Sequence, residues 1–335
     1  MADLNTTIRT VFSQKKVVII GDLVADQFLN GTISRVSREA PVFILRHDNT
    51  HTVPGAAANA AVNVASLGGS PLLIGLTGQD ANADILLDTL TCNGVDPGFI
   101  VTDPNFSTTT KVRVLAGQHY AARQQVIRID YENSAKISDG VKQKLRNNLA
   151  AAADDADALI VSDYNYGAVF PEIYQDASAI SRERDIPLIV DSRFHLTDLS
   201  NATTATPNRE EVEQILGKDF TADDCSLLRE RLGLDALLVT NGNQGMLLFQ
   251  KAHPSLRIDA VGSSEPADVT GAGDTVIAAY ALGLASGLTF ADAAHIANHA
   301  GGIVVMKKGT ASVSISEVLE SLKTNPAALV STQTL

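Results

Sequence analysis

The sequence predicts an α/β fold built on a mostly parallel central sheet. Three observations carry that expectation. Short β-branched apolar runs alternate with stretches of helical periodicity, each run ends in small or acidic residues, and two further stretches break the alternation with a period of two. The runs are Val17–Ile20, Pro71–Leu76, Ala158–Val161, Pro187–Val190 and Ala236–Val239. Continuous apolar strands separated by helices suit a parallel sheet buried on both faces. In open α/β sheets a ligand sits outside the carboxyl ends of the strands. Here those ends read Gly21-Asp22, Thr77-Gly78, Ser162-Asp163, Asp191-Ser192 and Thr240-Asn241-Gly242. Turn chemistry alone favours the same residues.

The two exceptional stretches, at about 27–53 and 108–132, contain Pro41–Arg46, Thr110–Leu115 and Gln125–Asp130. Their alternation predicts half-exposed antiparallel strands, a small sheet standing off the main one as a lid. Two apolar faces are expected there, Val112 and Val114 on one strand and Ile127 and Ile129 on another. One would cover a ligand and the other would meet a second copy in a homodimer. Residues 1–335 read as one domain, with 326–335 as a loose tail.

Composition excludes several classes. The chain has 335 residues, 45% of them hydrophobic, and a formal net charge of −12. That is enough apolar content for a large core, and the wrong sign for broad nucleic-acid binding. No apolar stretch approaches a membrane span, and the polar stretch from Met1 to Lys16 is no signal peptide. Cys92 and Cys225 form no disulfide framework or metal cluster, and the seven histidines lack H-E-x-x-H spacing. A cytoplasmic setting is expected.

The most informative segment is Ala267–Thr275, A-D-V-T-G-A-G-D-T, followed by the apolar run Val276–Leu282. It reads as a glycine-rich turn opening a helix. Gly271, Ala272 and Gly273 let backbone approach a ligand, and helix-start N–H groups favour negative charge. Asp274 is placed to take a proton from a hydroxyl, although an ordinary N-cap has the same appearance. Other segments carry paired readings. Pro54–Asn59 opens a helix, with Asn59 as a polyol contact or a cap. Asp22 and Asp26 flank the end of the first strand, as a sugar grip or as solvated turn residues. Asn208 and Glu211, three apart at a helix start, suit hydrated Mg²⁺ or a capping box. Thr240–Gly245 suits nucleotide phosphates or a hairpin turn. Asn298 lies on a small-residue helix that lines a base pocket or simply packs closely.

Taken in order, these segments resemble the PfkB, or ribokinase-like, family of sugar kinases over nearly the whole chain. The matching motifs are G-D-x-x-x-D at Gly21–Asp26, the segment ending at Asn59, N-x-x-E at Asn208–Glu211 and D-V-T-G-A-G-D at Asp268–Asp274. The resemblance implies a three-layer ribokinase-like sandwich with a small β lid, and ATP as phosphoryl donor. It implies Asp274 as the base and the Gly271, Ala272 and Gly273 amides as an anion hole. Asp22, Asp26, Gly55 and Asn59 would hold the sugar. Asn208, Thr240, Gly242, Gly245 and Asn298 would border ATP, with Asn208 and Glu211 organising Mg²⁺ through water. A monovalent-cation site, for K⁺, would fall at Asp268, Thr270, Val304, Lys307 and Gly309.

Within the family the chain most resembles kinase domains acting on D-glycero-β-D-manno-heptose 7-phosphate at the anomeric hydroxyl. Thr32–Val42, Gly75–Gly78, Gln125–Asp130, Val161–Tyr164 and Lys308–Thr310 carry that likeness. A phosphorylated acceptor needs cations, for which Arg128 is the first candidate, beside Arg35, Arg113, Arg123 and Arg193. With no H-x-G-H present, an appended nucleotidyltransferase domain is not expected. The chain departs from the pattern at three places. Gly55-Ala56 stands where two glycines are usual, Asp163–Gly167 reads D-Y-N-Y-G instead of D-Y-x-K-G, and Gly117–Arg123 reads as an insertion in the lid. Another acceptor within the family, or a catalytically silent sugar- or nucleotide-binding regulator, are the alternatives.

Overall fold

The first apolar run is buried on both faces. Val17 and Ile19 belong to one hydrophobic core, Val18 and Ile20 to a second. The same split recurs at Leu159, Ile160 and Val161 and at Leu237, Leu238 and Val239. Strands divided in this way form the middle of three layers. The computed structural model describes residues 4–118, 123–133, 136–262, 265–325 and 329–331.

The strands are β1 (Lys16–Gly21), β2 (Leu23–Val36), β3 (Phe43–Ala56), β4 (Ser70–Thr77), β5 (Ile100–Thr102), β6 (Thr110–Gly117), β7 (Gln124–Tyr131), β8 (Ala158–Asp163), β9 (Leu188–Ser192), β10 (Thr204–Ala205), β11 (Ala236–Thr240), β12 (Met246–Gln250), β13 (Leu256–Ile258) and β14 (Leu329–Ser331). The helices are α1 (Leu4–Thr10), α2 (Ala57–Ser66), α3 (Ala81–Cys92), α4 (Asp139–Ala152), α5 (Pro171–Arg184), α6 (Arg209–Leu216), α7 (Ala222–Arg231), α8 (Ala272–Ala285), α9 (Phe290–Val304) and α10 (Ile315–Thr324). Among the described residues the large sheet runs β14-β13-β12-β11-β10-β9-β8-β1-β4-β5. From β5 to β11 it is parallel, and from β11 to β14 antiparallel. Helices α1, α2, α3, α8, α9 and α10 cover one face, and α4 to α7 the other.

Each apolar run expected to be a strand is one. Three strand sets escaped the pattern: β10 is two residues long, β5 is three, and β12 to β14 turn back on themselves. The expected loose tail also needs correction, because residues 329–331 pair antiparallel with β13. The remainder of 326–335 lies outside the described residues, as do 119–122 of the expected insertion.

The lid is a four-stranded sheet in the order β3-β2-β6-β7. It was expected to be antiparallel throughout, but β2 and β6 are parallel. Both leave the carboxyl edge of the main sheet, β2 after β1 and β6 after β5, so both run outward. The edge position of β3 tolerates Pro54, which has no N–H to donate.

Register corrects the expectation of two apolar faces. Val112 stands opposite Ile129 and Val114 opposite Ile127, so all four share one face. The opposite face is charged. One cross-strand row holds Asp26, Lys111 and Asp130, and the next holds His51, Phe28, Arg113 and Arg128.

Ala56 ends β3 and caps α2 at φ 56°, ψ −133°, a region that suits glycine. The methyl group there strains the joint. Ala56→Gly is expected to raise the unfolding free energy by about 1 kcal/mol, strain relief exceeding the entropy gained by the unfolded chain. Urea unfolding checks this, and a midpoint no higher than that of the parent contradicts it.

Candidate active site

Helix α8 is preceded by its N-cap Gly271, whose φ of 78° is left-handed. A Cβ at Gly271 would stand 2.5 Å from Asn59 Nδ2, so a side chain there is excluded on both counts. A Cβ at Gly273 would meet nothing within 4 Å, which leaves open space beside the first-turn amides. The Ala272 N–H leans on the Val269 carbonyl at 3.3 Å.

Asp274, in the first turn of α8, is 3% exposed. Asn59 Nδ2 donates to its Oδ2 at 2.8 Å, and the Tyr164 hydroxyl donates to its Oδ1 at 2.9 Å. Burial pushes its pKa up to about 7, against the opposing pull of these two hydrogen bonds. A carboxylate poised there, with both oxygens oriented, is suited to accept a hydroxyl proton. Asn59 was expected to touch the sugar. Its amide instead holds Asp274 and reaches the Gly271 carbonyl at 3.4 Å, while its own oxygen accepts from Asn63 Nδ2 at 3.2 Å.

The hydroxyl of Tyr164 has a testable role. Donation to a carboxylate favours its charged form. Tyr164→Phe should move the acid limb of kcat/KM upward by about one pH unit, the worth of one hydrogen bond to a charged group. A pH–rate profile superimposable on the parent's removes Tyr164 from this role.

Asp26 is buried and ion-paired with Arg113. Gly55 lies against it, where a Cβ would come within 2.5 Å of Asp26 Oδ2. Arg113 stacks over Phe28 at 5.5 Å, and Phe28 stacks on His51 at 5.1 Å. Asp22 departs from its expected place in the sugar site. Its Oδ2 accepts the backbone N–H groups of Tyr164 (2.8 Å) and Tyr166 (3.0 Å), and its Oδ1 that of Ala168 (2.9 Å). It braces the loop after β8. Arg128 also departs: it is exposed on β7 and binds Asp130 through two bonds of 2.9 Å. Arg123 pairs with Asp48 at 2.7 Å, and Arg35 is exposed near the tip of the β2–β3 hairpin.

Two clefts flank the segment from Asp268 to Gly273. One, of about 180 Å³, is lined by Thr240, Gly242, Gly245, Asn298, Ala272 and Gly273. It brings together the expected nucleotide contacts apart from Asn208, which bridges to Thr240. Asn298 Nδ2 is anchored on the Asp259 carbonyl at 2.8 Å. The other cleft, of about 940 Å³, lies under the lid and is lined by Phe28, His51, Arg113, Asp268, Thr270 and Gly309, among others.

Asn208 and Glu211 form a reciprocal capping box. Asn208 N–H donates to Glu211 Oε2 at 2.9 Å, and Glu211 N–H to Asn208 Oδ1 at 3.0 Å. Burial raises the Glu211 pKa, and Asp191, raised first by burial, also feels Glu211 and Asp274. No group of three or more metal-ligating side chains occurs among the described residues. At the expected cation site, Asp268 accepts from Thr270 N–H at 2.9 Å and Gly309 N–H at 3.1 Å. Lys307 and Val304 are engaged elsewhere: the Lys307 ammonium binds the Ser312 carbonyl and Glu317 at 2.7 Å each, and the Val304 carbonyl accepts from Lys307 N–H.

Lys111 was not foreseen in the site. Its buried side chain places the ammonium over the Tyr164 and Tyr166 rings, 5.7 and 5.4 Å from their centroids. The sequence signal was slight, a lysine two residues before Arg113 on an alternating strand.

The pfkB family carbohydrate kinase profile matches residues 14–317. The chain belongs to this family. Among similar proteins is the "Bifunctional protein HldE" of Gluconobacter oxydans, 39% identical over 314 residues, 92% of this chain and 64% of that one. The protein of the same name from Shewanella amazonensis is also 39% identical, over 94% of this chain and 65% of its own. The chain thus spans less than two thirds of these relatives. The fold is shared with Escherichia coli phosphofructokinase-2 in complex with substrates and products, with a TM-score of 0.74 at 18% identity, covering 92% of this chain and 98% of that one. It is shared too with Arabidopsis thaliana ribokinase complexed with ribose and ATP, with a TM-score of 0.69 at 20% identity and the same coverages. This pfkB chain is an ATP-dependent carbohydrate kinase with a ribokinase-like fold. No helix among its described residues is long and apolar enough to cross a membrane.

Proposed function

We propose that this kinase transfers the γ-phosphoryl group of ATP to the anomeric hydroxyl of D-glycero-β-D-manno-heptose 7-phosphate, giving the 1,7-bisphosphate. The observation that carries the reaction is Asp274, buried in the first turn of α8 directly after Gly273 of the nucleotide-side cleft, with its two carboxylate oxygens held by Asn59 and Tyr164. The heptose assignment rests on the sequence likeness and on the charged inner face of the lid.

In this reading the acceptor hydroxyl donates to Asp274, which takes the proton as the oxygen attacks phosphorus. The first-turn amides at Ala272 and Gly273 stabilise charge on the transferred group, and ADP leaves on the Thr240–Asn298 side. Such catalysis is mainly positioning and electrostatics. Asp26, with Gly55 beneath it, accepts from sugar hydroxyls. Mg²⁺ enters with ATP, with Glu211 and Asp191 as the carboxylates facing its hydration shell. The Asp268 carboxylate would hold K⁺ here, and the buried Thr310 hydroxyl oxygen has no hydrogen-bond partner. The apolar face of the lid, with Ile127 and Ile129 54% and 41% exposed, suits a homodimer contact. The exposed, unpaired Cys92 suits a reducing cytoplasm.

The experiment is phosphorus NMR of the product formed from heptose 7-phosphate and MgATP. A second phosphate coupled to the anomeric proton supports the assignment. A new phosphate on any other carbon, or none, overturns it.

A further inference from the structure

Lys111 is a buried cation whose neighbouring acids are already engaged. Its row partner Asp26 is ion-paired with Arg113, and its other row partner Asp130 is bound by Arg128. Glu132 accepts from the Tyr166 hydroxyl at 3.1 Å, and Asp274 is held by Asn59 and Tyr164. The ammonium lies over the two tyrosine rings, within reach of the Asp26 and Asp130 charges. Arg193 and Arg128 add positive potential around it. Buried charges in proteins are ordinarily paired, and one left over in a cleft marks the place of a ligand charge.

We propose that Lys111, held over the Tyr164 and Tyr166 rings, is the subsite for the phosphate that the acceptor already carries. Lys111 lines neither of the two clefts, but it shares a face of β6 with Arg113, two residues on, which lines the larger cleft under the lid. The Tyr164 ring connects the two ends of the acceptor. Its face meets the Lys111 ammonium and its hydroxyl meets the base, so a sugar reaching Asp274 with one end places its other end at Lys111. The cation–π contacts hold the ammonium partly desolvated, which strengthens its attraction for a phosphate. This inference rests on the reading that the acceptor is a phosphate ester.

The test uses two ester–sugar pairs, heptose 7-phosphate with heptose and fructose 6-phosphate with fructose. For each, kcat/KM of the ester is divided by that of the free sugar. In Lys111→Met this ratio should fall about 30-fold, mainly through KM, as expected for loss of one desolvated charge pair. Lys111→Arg should retain most of it. Adding Tyr166→Lys to Lys111→Met should restore about tenfold, because an amine at 166 reaches the same space. If Lys111→Met slows ester and free sugar alike and leaves the ratio at the wild-type value, the subsite is wrong and the acceptor reading survives. If the wild-type enzyme prefers fructose 6-phosphate and Lys111→Met erases that preference, the subsite stands and the heptose assignment falls. A wild-type preference for the free sugar in both pairs overturns both.

Discussion

Asp274→Asn is expected to lower kcat by roughly 10²–10⁴, the usual worth of a general base, and to make the folded protein more stable at alkaline pH. The two effects share one cause. Burial has raised the folded-state pKa of Asp274 from 3.8 to about 7. Between those values the folded state binds more protons than the unfolded one, so stability falls as pH rises through this window and stays low above it. Removing the charge abolishes that loss. The gain above pH 8 should be on the order of 2–4 kcal/mol, given 1.36 kcal/mol per unit of pKa shift. Near pH 4 the variant and parent should unfold alike. Denaturant titrations at pH 5 and 9 check the prediction alongside turnover. Near-normal kcat, or a variant less stable than the parent at pH 9, contradicts it.

Asp22→Ala should be the most destabilising single change at the site. Three backbone N–H groups converge on this 2%-exposed carboxylate, and truncation leaves all three without an acceptor. Each such loss costs 1–3 kcal/mol. Burial of the charge, which raises the Asp22 pKa to about 6, offsets part of that. The net loss should be about 2–4 kcal/mol. The loop also carries Tyr164, so the acid limb of kcat/KM should shift as it does in Tyr164→Phe. An unchanged urea midpoint with only a higher sugar KM would return Asp22 to the sugar-gripping role that its motif first suggested.

Much of this architecture was legible because the physics behind it is local. Runs such as Val17–Ile20 are apolar on both sides, and only a doubly covered strand tolerates that. The Gly271–Asp274 turn was legible because a left-handed residue and a helix-start carboxylate are both written in residue type. The capping box at Asn208 and Glu211 was visible too, as one of two readings, and its hydrogen bonds are present. What escaped was non-local. Tyr164 meets Asp274 across 110 positions, and no spacing rule connects them. Lys111 resembled any polar residue of an alternating strand until register placed it in a row with Asp26 and Asp130. The same register moved Val112, Val114, Ile127 and Ile129 onto one face. Asp22 and Asp26 looked equivalent in G-D-x-x-x-D. One follows β1 at the main sheet and the other lies on β2 facing the lid cleft, so one became a brace and the other a candidate sugar contact.

In the proposed reaction this kinase acts on a seven-carbon sugar phosphate through Asp274. The most direct test is a panel of kcat/KM values by ADP release for heptose 7-phosphate, ribose, fructose and fructose 6-phosphate at saturating MgATP. Heptose 7-phosphate should exceed every other acceptor by tenfold or more, about 1.4 kcal/mol of transition-state preference. An unphosphorylated sugar ahead by the same margin would contradict the claim.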